Sequence, residues 1–394
     1  MSEVHIIGGS AAGLFAGYLL ARAGKTVRLF DTNNVLDTES RTLITTSRLA
    51  EVIGFCPDEA ICNEIDQIQL FSARRFVTIP LKDPDLVVER SIIIRSLAKM
   101  AMGAGVTVHA GCKLLKMDMQ REGVSLTFRD THSGRVEKIS STTVIGADGA
   151  FSGVARLATG TSPATTPILQ AIVKLPKQYQ AKTTQVWFEP KNTPYFYWVI
   201  PQSQSRGAVG LIAETGQDLK RNLDRFLLRL NLDADEIQAA RVPTYRHWIA
   251  PWRRISGADV YLVGDAAAQV KVTTVGGLVT GLRGAKAAAN AILRRTEYAA
   301  EMALLRQELG LHLMIRSVLN KFETSDYDRL LELLNPKTIH LLGRHNRDRA
   351  AMILCKILIA QPKLVSFAAQ KLTQFTRNLS SRFNAKRRPV LTDN

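Results

Sequence analysis

The stretch Val4-His5-Ile6-Ile7-Gly8-Gly9-Ser10-Ala11-Ala12-Gly13 leaves few folds open to this chain. A short apolar run rich in β-branched residues leads into three glycines, and residues 14–23 follow with the small-residue spacing of a packed helix. That is a strand, a tight turn and a helix N-terminus in succession. Gly8 permits a backbone conformation that a Cβ opposes, and Gly13 lets strand and helix approach closely. The helix dipole and free N–H groups favour an anion at such a turn. Its middle, Ser10-Ala11-Ala12, lacks the second motif glycine, so the loop reads G-G-x-x-x-G. A second strand, Val27-Arg28-Leu29-Phe30, ends in Asp31, at about the ~20-residue distance expected of a carboxylate that binds an adenosine ribose. The plainer alternative is a βαβ unit with no ligand.

A chain of 394 residues with 46% hydrophobic residues can bury a large core and divides into two or three domains. Cys56, Cys62, Cys112 and Cys355 show neither metal-ligand spacing nor a disulfide framework, which suits a reducing compartment and predicts no metal. Met1 leads directly into the first strand, which predicts no signal peptide, and no apolar run approaches the ~20 residues of a membrane-spanning helix. The expected location is cytoplasmic. The net charge is +17, and residues 341–394 hold eleven Lys or Arg against two Asp. Only Phe367, Phe375 and Phe383 accompany those charges, too few aromatics for a nucleic-acid module. The basic helical tail is expected instead to touch the inner face of a membrane, or an acidic protein partner.

Along the chain, residues 43–53 have helical spacing, residues 68–90 alternate like strands, and a helix is expected over 91–102. Residues 113–140 read as an antiparallel excursion with His132 in a turn. Gly146-Ala147-Asp148-Gly149 then ends another buried strand. From about residue 161 to 247, four β-rich runs and a helix over 219–230 predict an inserted antiparallel sheet, with Leu223, Phe226, Leu227 and Leu230 on one helix face. The chain returns through Val260 to Gly264-Asp265, and an Ala-rich helix follows Gly276-Gly277. The expected fold class is α/β. A Rossmann-like nucleotide-binding domain (1–160 and 248–295), which the resemblance described next makes FAD-binding, carries the inserted antiparallel-sheet substrate domain (161–247) and a helical basic C-terminal extension (296–394).

The glycine loop, Gly146-Ala147-Asp148-Gly149 and Gly264-Asp265 occur in the order and at the separations of a group that resembles p-hydroxybenzoate hydroxylase. The run Gln269-Val270-Lys271-Val272-Thr273-Thr274-Val275-Gly276-Gly277 looks most like its geranylgeranyl reductase branch. The resemblance covers about residues 1–295. It implies that Gly8, Gly9, Ser10, Ala11, Ala12 and Gly13 hold the FAD pyrophosphate and Asp31 its adenosine ribose. It implies further that Arg41 and Arg90 lie on the cofactor side, and that Asp148 and Gly149 anchor a segment beside the cofactor. Gly264 and Asp265 would meet the ribityl chain. Thr274, Gly276 and Gly277 would open a helix whose positive end faces the flavin ring. The resemblance leaves the electron donor as NAD(P)H or ferredoxin.

Phe196-Tyr197-Trp198-Val199-Ile200-Pro201 is similar to the reductases' substrate motif Tyr-x-Trp-x-Phe-Pro. On a strand Phe196, Trp198 and Ile200 face one way and Tyr195, Tyr197 and Val199 the other. Sheet core is the bland reading; the functional one makes Trp198, Phe196 and Tyr197 the catalytic candidates, a wall for an apolar prenyl-type substrate. An isolated alkene needs hydride on one carbon and a proton on the other, with aromatic faces to stabilise cationic character. Archaeal members of the branch carry a cysteine just after the second strand, and residues 32–55 have none. The alternative function is a flavin-dependent monooxygenase or halogenase acting on an apolar or aromatic substrate, for which Lys82 is the sole lysine between Lys25 and Lys99.

Overall fold

The computed structural model describes residues 3–36, 40–55, 58–214, 216–246, 249–345, 353, 356–357, 359–371. The motifs resolve into alternating α and β elements. Strand β1 (Val4–Ile7) passes through the glycine loop into α1 (Ala11–Arg22) and β2 (Val27–Phe30). Next come β3 (Thr42–Thr45), α2 (Arg48–Ile53) and the long hairpin β4 (Ile61–Phe71) and β5 (Phe76–Glu89). Helix α3 (Arg90–Gly103) and β6 (Thr107–His109) follow, then β7 (Cys112–Met119), β8 (Val124–Asp130) and β9 (Val136–Ser141). The chain continues through β10 (Thr143–Gly146) and α4 (Gly153–Thr159) to β11 (Ala164–Lys174), β12 (Thr183–Trp187), β13 (Tyr197–Pro201) and β14 (Arg206–Ile212). After α5 (Leu219–Leu230) and β15 (Ala234–Thr244) it returns through β16 (Trp252–Ile255) and β17 (Ala258–Leu262). Four helices follow: α6 (Leu278–Ile292), α7 (Tyr298–Leu319), α8 (Thr324–Glu332) and α9 (Pro336–Arg344).

Two large sheets organise these elements. The first has the order β16-β17-β10-β1-β2-β6, parallel except at the β16 edge. All four residues of β1 are buried, as a central parallel strand covered on both faces requires. Helices α1, α3 and α6 share one core with this sheet. The second sheet has eight strands in the order β15-β11-β14-β13-β12-β4-β5-β3 and is antiparallel except where β12 meets β4. Strands β7, β8 and β9 form a separate antiparallel sheet.

The eight-stranded sheet departs from the expectation that residues 161–247 build it alone, because β3, β4 and β5 join from residues 42–89. Strand β12 supplies the seam: its parallel register on β4 pairs Thr183 with Gln67 and Trp187 with Phe71. The helical reading of residues 43–53 is also corrected. Residues 42–45 pair with β5, Thr42 opposite Glu89, and only residues 48–53 are helical. Ladder hydrogen bonds outcompete a short helix that its own propensity cannot sustain. Helix α5 matches its predicted span. Asp218 caps it through the Arg221 N–H at 3.0 Å, Asn231 closes it in the left-handed region, and Leu223, Phe226 and Leu227 are buried against the sheet.

Candidate cofactor and substrate site

The first glycine turn is shaped by close backbone approach. Gly8 has φ +107°, and a Cβ there would lie 2.5 Å from the Ala147 carbonyl carbon and 2.7 Å from Asp148 N. A Cβ on Gly13 would strike the Gly8 carbonyl and come within 2.9 Å of Ala147 Cβ. Neither neighbour can yield, since both belong to the adjacent strands β1 and β10 and their turns. Ser10 caps α1, its Oγ accepting from Gly13 N at 3.3 Å, and the first turn carries no acidic side chain. The helix end is thus left electropositive. Asp31 sits across the turn, Oδ2 accepting from Gly9 N at 2.6 Å and Oδ1 from Asn33 N at 2.8 Å. Ala11 and Ala12 open α1, with Ala12 buried.

Asp148 is tied to the start of α4. Its Oδ1 accepts from Ser152 Oγ at 2.5 Å and its Oδ2 from Val154 N at 3.1 Å. Burial raises its carboxyl, and those hydrogen bonds oppose the rise. Gly149 follows with φ +81°. On the other side of the cleft Gly264 N donates to the side chain of Gln269 at 2.7 Å, and Gln269 is fully buried. Asp265 Oδ1 stands 3.2 Å from where a Gly277 side chain would begin. Burial raises the Asp265 carboxyl, while the guanidinium groups of Arg41 and Arg90 pull it back. One acid and two arginines from three separated segments therefore meet in the cleft.

Glu89, the acid that precedes Arg90 in the chain, organises the arginine side. It caps α3; Oε1 accepts from Arg41 N at 2.9 Å and Ser91 N at 3.1 Å, and Oε2 from Ser40 Oγ at 3.0 Å. Burial raises its carboxyl, but these hydrogen bonds outweigh that and hold it below the usual carboxylate range.

The segment 271–277 closes the cleft. Lys271 N donates to Gly276 O at 3.1 Å and Val275 N to Lys271 O at 2.7 Å, with Val275 at φ +55° and Thr274 exposed. Gly276 and Gly277 lead into α6. From far along the chain, His312 of α7 meets this segment, Nδ1 lying 2.7 Å from Thr273 Oγ1. Arg316, one turn later, donates to Pro194 O at 2.6 Å and stands 4.8 Å above the Tyr195 ring. Both side chains are buried. Their spacing of four residues on a helix was the available signal, though nothing local tells what that face meets.

The candidate substrate face is an apolar cluster. Trp198, Ile200, Ile65, Val87 and Ile212 of the eight-stranded sheet pack with Val270 and Val275 of the cofactor-side segment, and Phe196 lies edge-on to Trp198 at 6.1 Å. Gly210 pairs directly with Trp198 across the sheet and leaves room for the indole. Trp198 is 7% exposed, and its Nε1 has no hydrogen-bond partner among the described residues. Tyr197 is corrected as a catalytic candidate. The pleat turns it to the opposite face, where its ring stacks on Phe226 of α5 at 4.4 Å, and burial pushes its phenol up to about 12. Lys82 is exposed on β5.

The turn a Cβ would fill, the ribose-side acid and the acid–arginine cluster fit an FAD molecule laid across the first sheet. The FAD binding domain family matches residues 1–307. The chain is 25% identical to the geranylgeranyl diphosphate reductase of Rhodobacter capsulatus over 381 residues, 95% of this chain and 93% of that protein. It is 28% identical to digeranylgeranylglycerophospholipid reductase 1 of Methanopyrus kandleri over 303 residues, 71% of this chain and 77% of that one. Among solved structures, a geranylgeranyl bacteriochlorophyll reductase-like protein from Thermoplasma acidophilum superposes with a TM-score of 0.78 at 17% identity, over 94% of this chain and 99% of that one. The flavin-dependent brominase Bmp2 superposes with a TM-score of 0.61 at 15% identity, over 98% of this chain and 100% of that chain.

Proposed function

Since the chain belongs to the FAD binding domain family and is an FAD-dependent oxidoreductase related to the geranylgeranyl reductases, we propose that it reduces carbon–carbon double bonds of a prenyl lipid or prenylquinone. The observation that carries this reading is the apolar cluster around Trp198, in which residues of the eight-stranded sheet pack against Val270 and Val275. A prenyl chain matches such a surface along its whole length.

In this reading the Gly8–Gly13 turn and the α1 N-terminus hold the pyrophosphate, Asp31 the ribose, and Asp265 with Arg41 and Arg90 the ribityl side. Bound there, reduced FAD supplies the hydride. Trp198 and Phe196 press the alkene toward the cofactor, exclude water and face the carbon on which positive character grows. The second carbon takes a proton. Tyr195 is a poor source, since burial raises its phenol beneath Arg316, which lowers it again only in part. The unpartnered Trp198 Nε1–H instead orients a single water as the donor. Residues 1–160 with 248–295, the sheet with its 161–247 insert, and the helices from 296 onward serve as cofactor, substrate and docking parts.

Anaerobic absorbance tests the reading. The bound flavin is bleached with a reductant, and geranylgeranyl diphosphate or a prenylquinone is added under nitrogen. Reoxidation by the prenyl compound is expected, slowed in Trp198→Ala at unchanged FAD content. Reoxidation only on admission of air sinks the proposal in favour of monooxygenase or halogenase chemistry. The exposed position of Lys82, outside the apolar cluster, weighs against the halogenase.

A further inference from the structure

We propose that a groove at the junction of α6 and α7 binds the phosphate headgroup of an anionic phospholipid and seats the enzyme on a membrane surface. The groove encloses about 800 Å³. Its floor is aromatic and apolar, formed by Tyr261, Tyr298, Met302 and the face of Trp252. The floor is rigidly built: Tyr298 stands edge-on to Tyr261 at 5.2 Å and its hydroxyl donates to Pro251 O at 3.1 Å. Trp252 is 43% exposed, an unusual position for an indole, and its Nε1 donates to Asp259 Oδ1 at 3.2 Å, which fixes the ring.

The rim is cationic. Arg294, Arg295 and Arg306 line it, and Glu297 is its only acid. Arg294 and Arg295 form no ion pair among the described residues, and Arg254 beside the groove is already engaged with Asp259 at 3.0 Å. An apolar floor under a basic rim is complementary to an amphiphile with an anionic head, and an exposed tryptophan beside arginines is the arrangement that suits a lipid–water boundary. The inference is independent of the reaction, because membrane binding is read without turnover.

The test uses the full-length FAD-loaded protein and vesicles of one part phosphatidylglycerol to two parts phosphatidylcholine at low salt. Arg294→Asn with Arg295→Gln removes two charges, and asparagine tolerates the φ of +57° at position 294. Cosedimentation is expected to fall by roughly tenfold to thirtyfold in this variant, at unchanged FAD content. Brominated acyl chains are expected to quench wild-type fluorescence more than that of Trp252→Phe. Three results overturn the proposal. One is wild-type binding by the groove variant with loss confined to Lys386→Gln, Arg387→Gln, Arg388→Gln. The others are an absence of vesicle binding by the wild type, and protection of the groove by glycerol 3-phosphate as effective as by vesicles, which would assign it to a soluble phosphate.

Discussion

Single residues carry the strain and the orientation on which the cleft depends. Val275 is a buried β-branched residue in the left-handed region, where its branched Cβ crowds the backbone by ~1–3 kcal/mol. Val270, its partner in the same apolar cluster, is as well buried and has no positive φ. Val275→Gly therefore loses packing but sheds strain, whereas Val270→Gly loses packing and adds backbone entropy. Urea unfolding should show Val275→Gly less costly than Val270→Gly by about 2 kcal/mol. Equal losses would mean that the turn at Val275 stores no strain. The side of the sheet taken by each aromatic residue is a residue-scale matter too. Period-two alternation alone separated Trp198 from Tyr197, and it could be read from the chain without knowing which side meets a cofactor.

Elements position these residues through their ends. Glu89 is both the last residue of β5 and the cap of α3, so one carboxylate joins the β-rich layer to the arginine-bearing helix. Its carboxyl is held below the ordinary range, so the folded state is favoured wherever Glu89 is ionised. That contribution is complete above the unfolded carboxylate value of about 4.3 and disappears as pH falls through the depressed folded value. The gap in melting temperature between wild type and Glu89→Gln should accordingly be widest near neutral pH and close on acidification below about pH 4. A gap that persists unchanged in acid would assign the cost to shape rather than charge. Helix α5 shows the opposite case, an element whose span and apolar face were legible locally. Residues 43–45 carry helical spacing yet form a strand because their partners, residues 86–88, lie more than forty positions away.

At the scale of the molecule, the C-terminal helices hold the two large sheets in register. Through α7, His312 touches Thr273 of the 271–277 segment and Arg316 the approach to β13, contacts separated by 39 and 122 positions in sequence. Helix α9 presses on β5 so closely that a Cβ on Gly343 would strike the Pro80 carbonyl. Backbone on backbone cannot move cheaply, so Gly343→Ala should cost about 1–3 kcal/mol and loosen the C-terminal helices to limited proteolysis, with FAD retained. Unchanged protease resistance would disprove a tight α9 contact. No helix among the described residues is long and apolar enough to cross a membrane. The glycine turns, the acids that end strands and the parallel βαβ beginning were legible in the chain because they are local: a φ only glycine tolerates, a cap, a spacing. The recruitment of β3, β4 and β5 into the eight-stranded sheet, the clamp of Glu89 and the reach of His312 and Arg316 were decided by tertiary packing alone. Those contacts derive their energy from surfaces that exist only once distant segments meet, and no short window of sequence contains both halves.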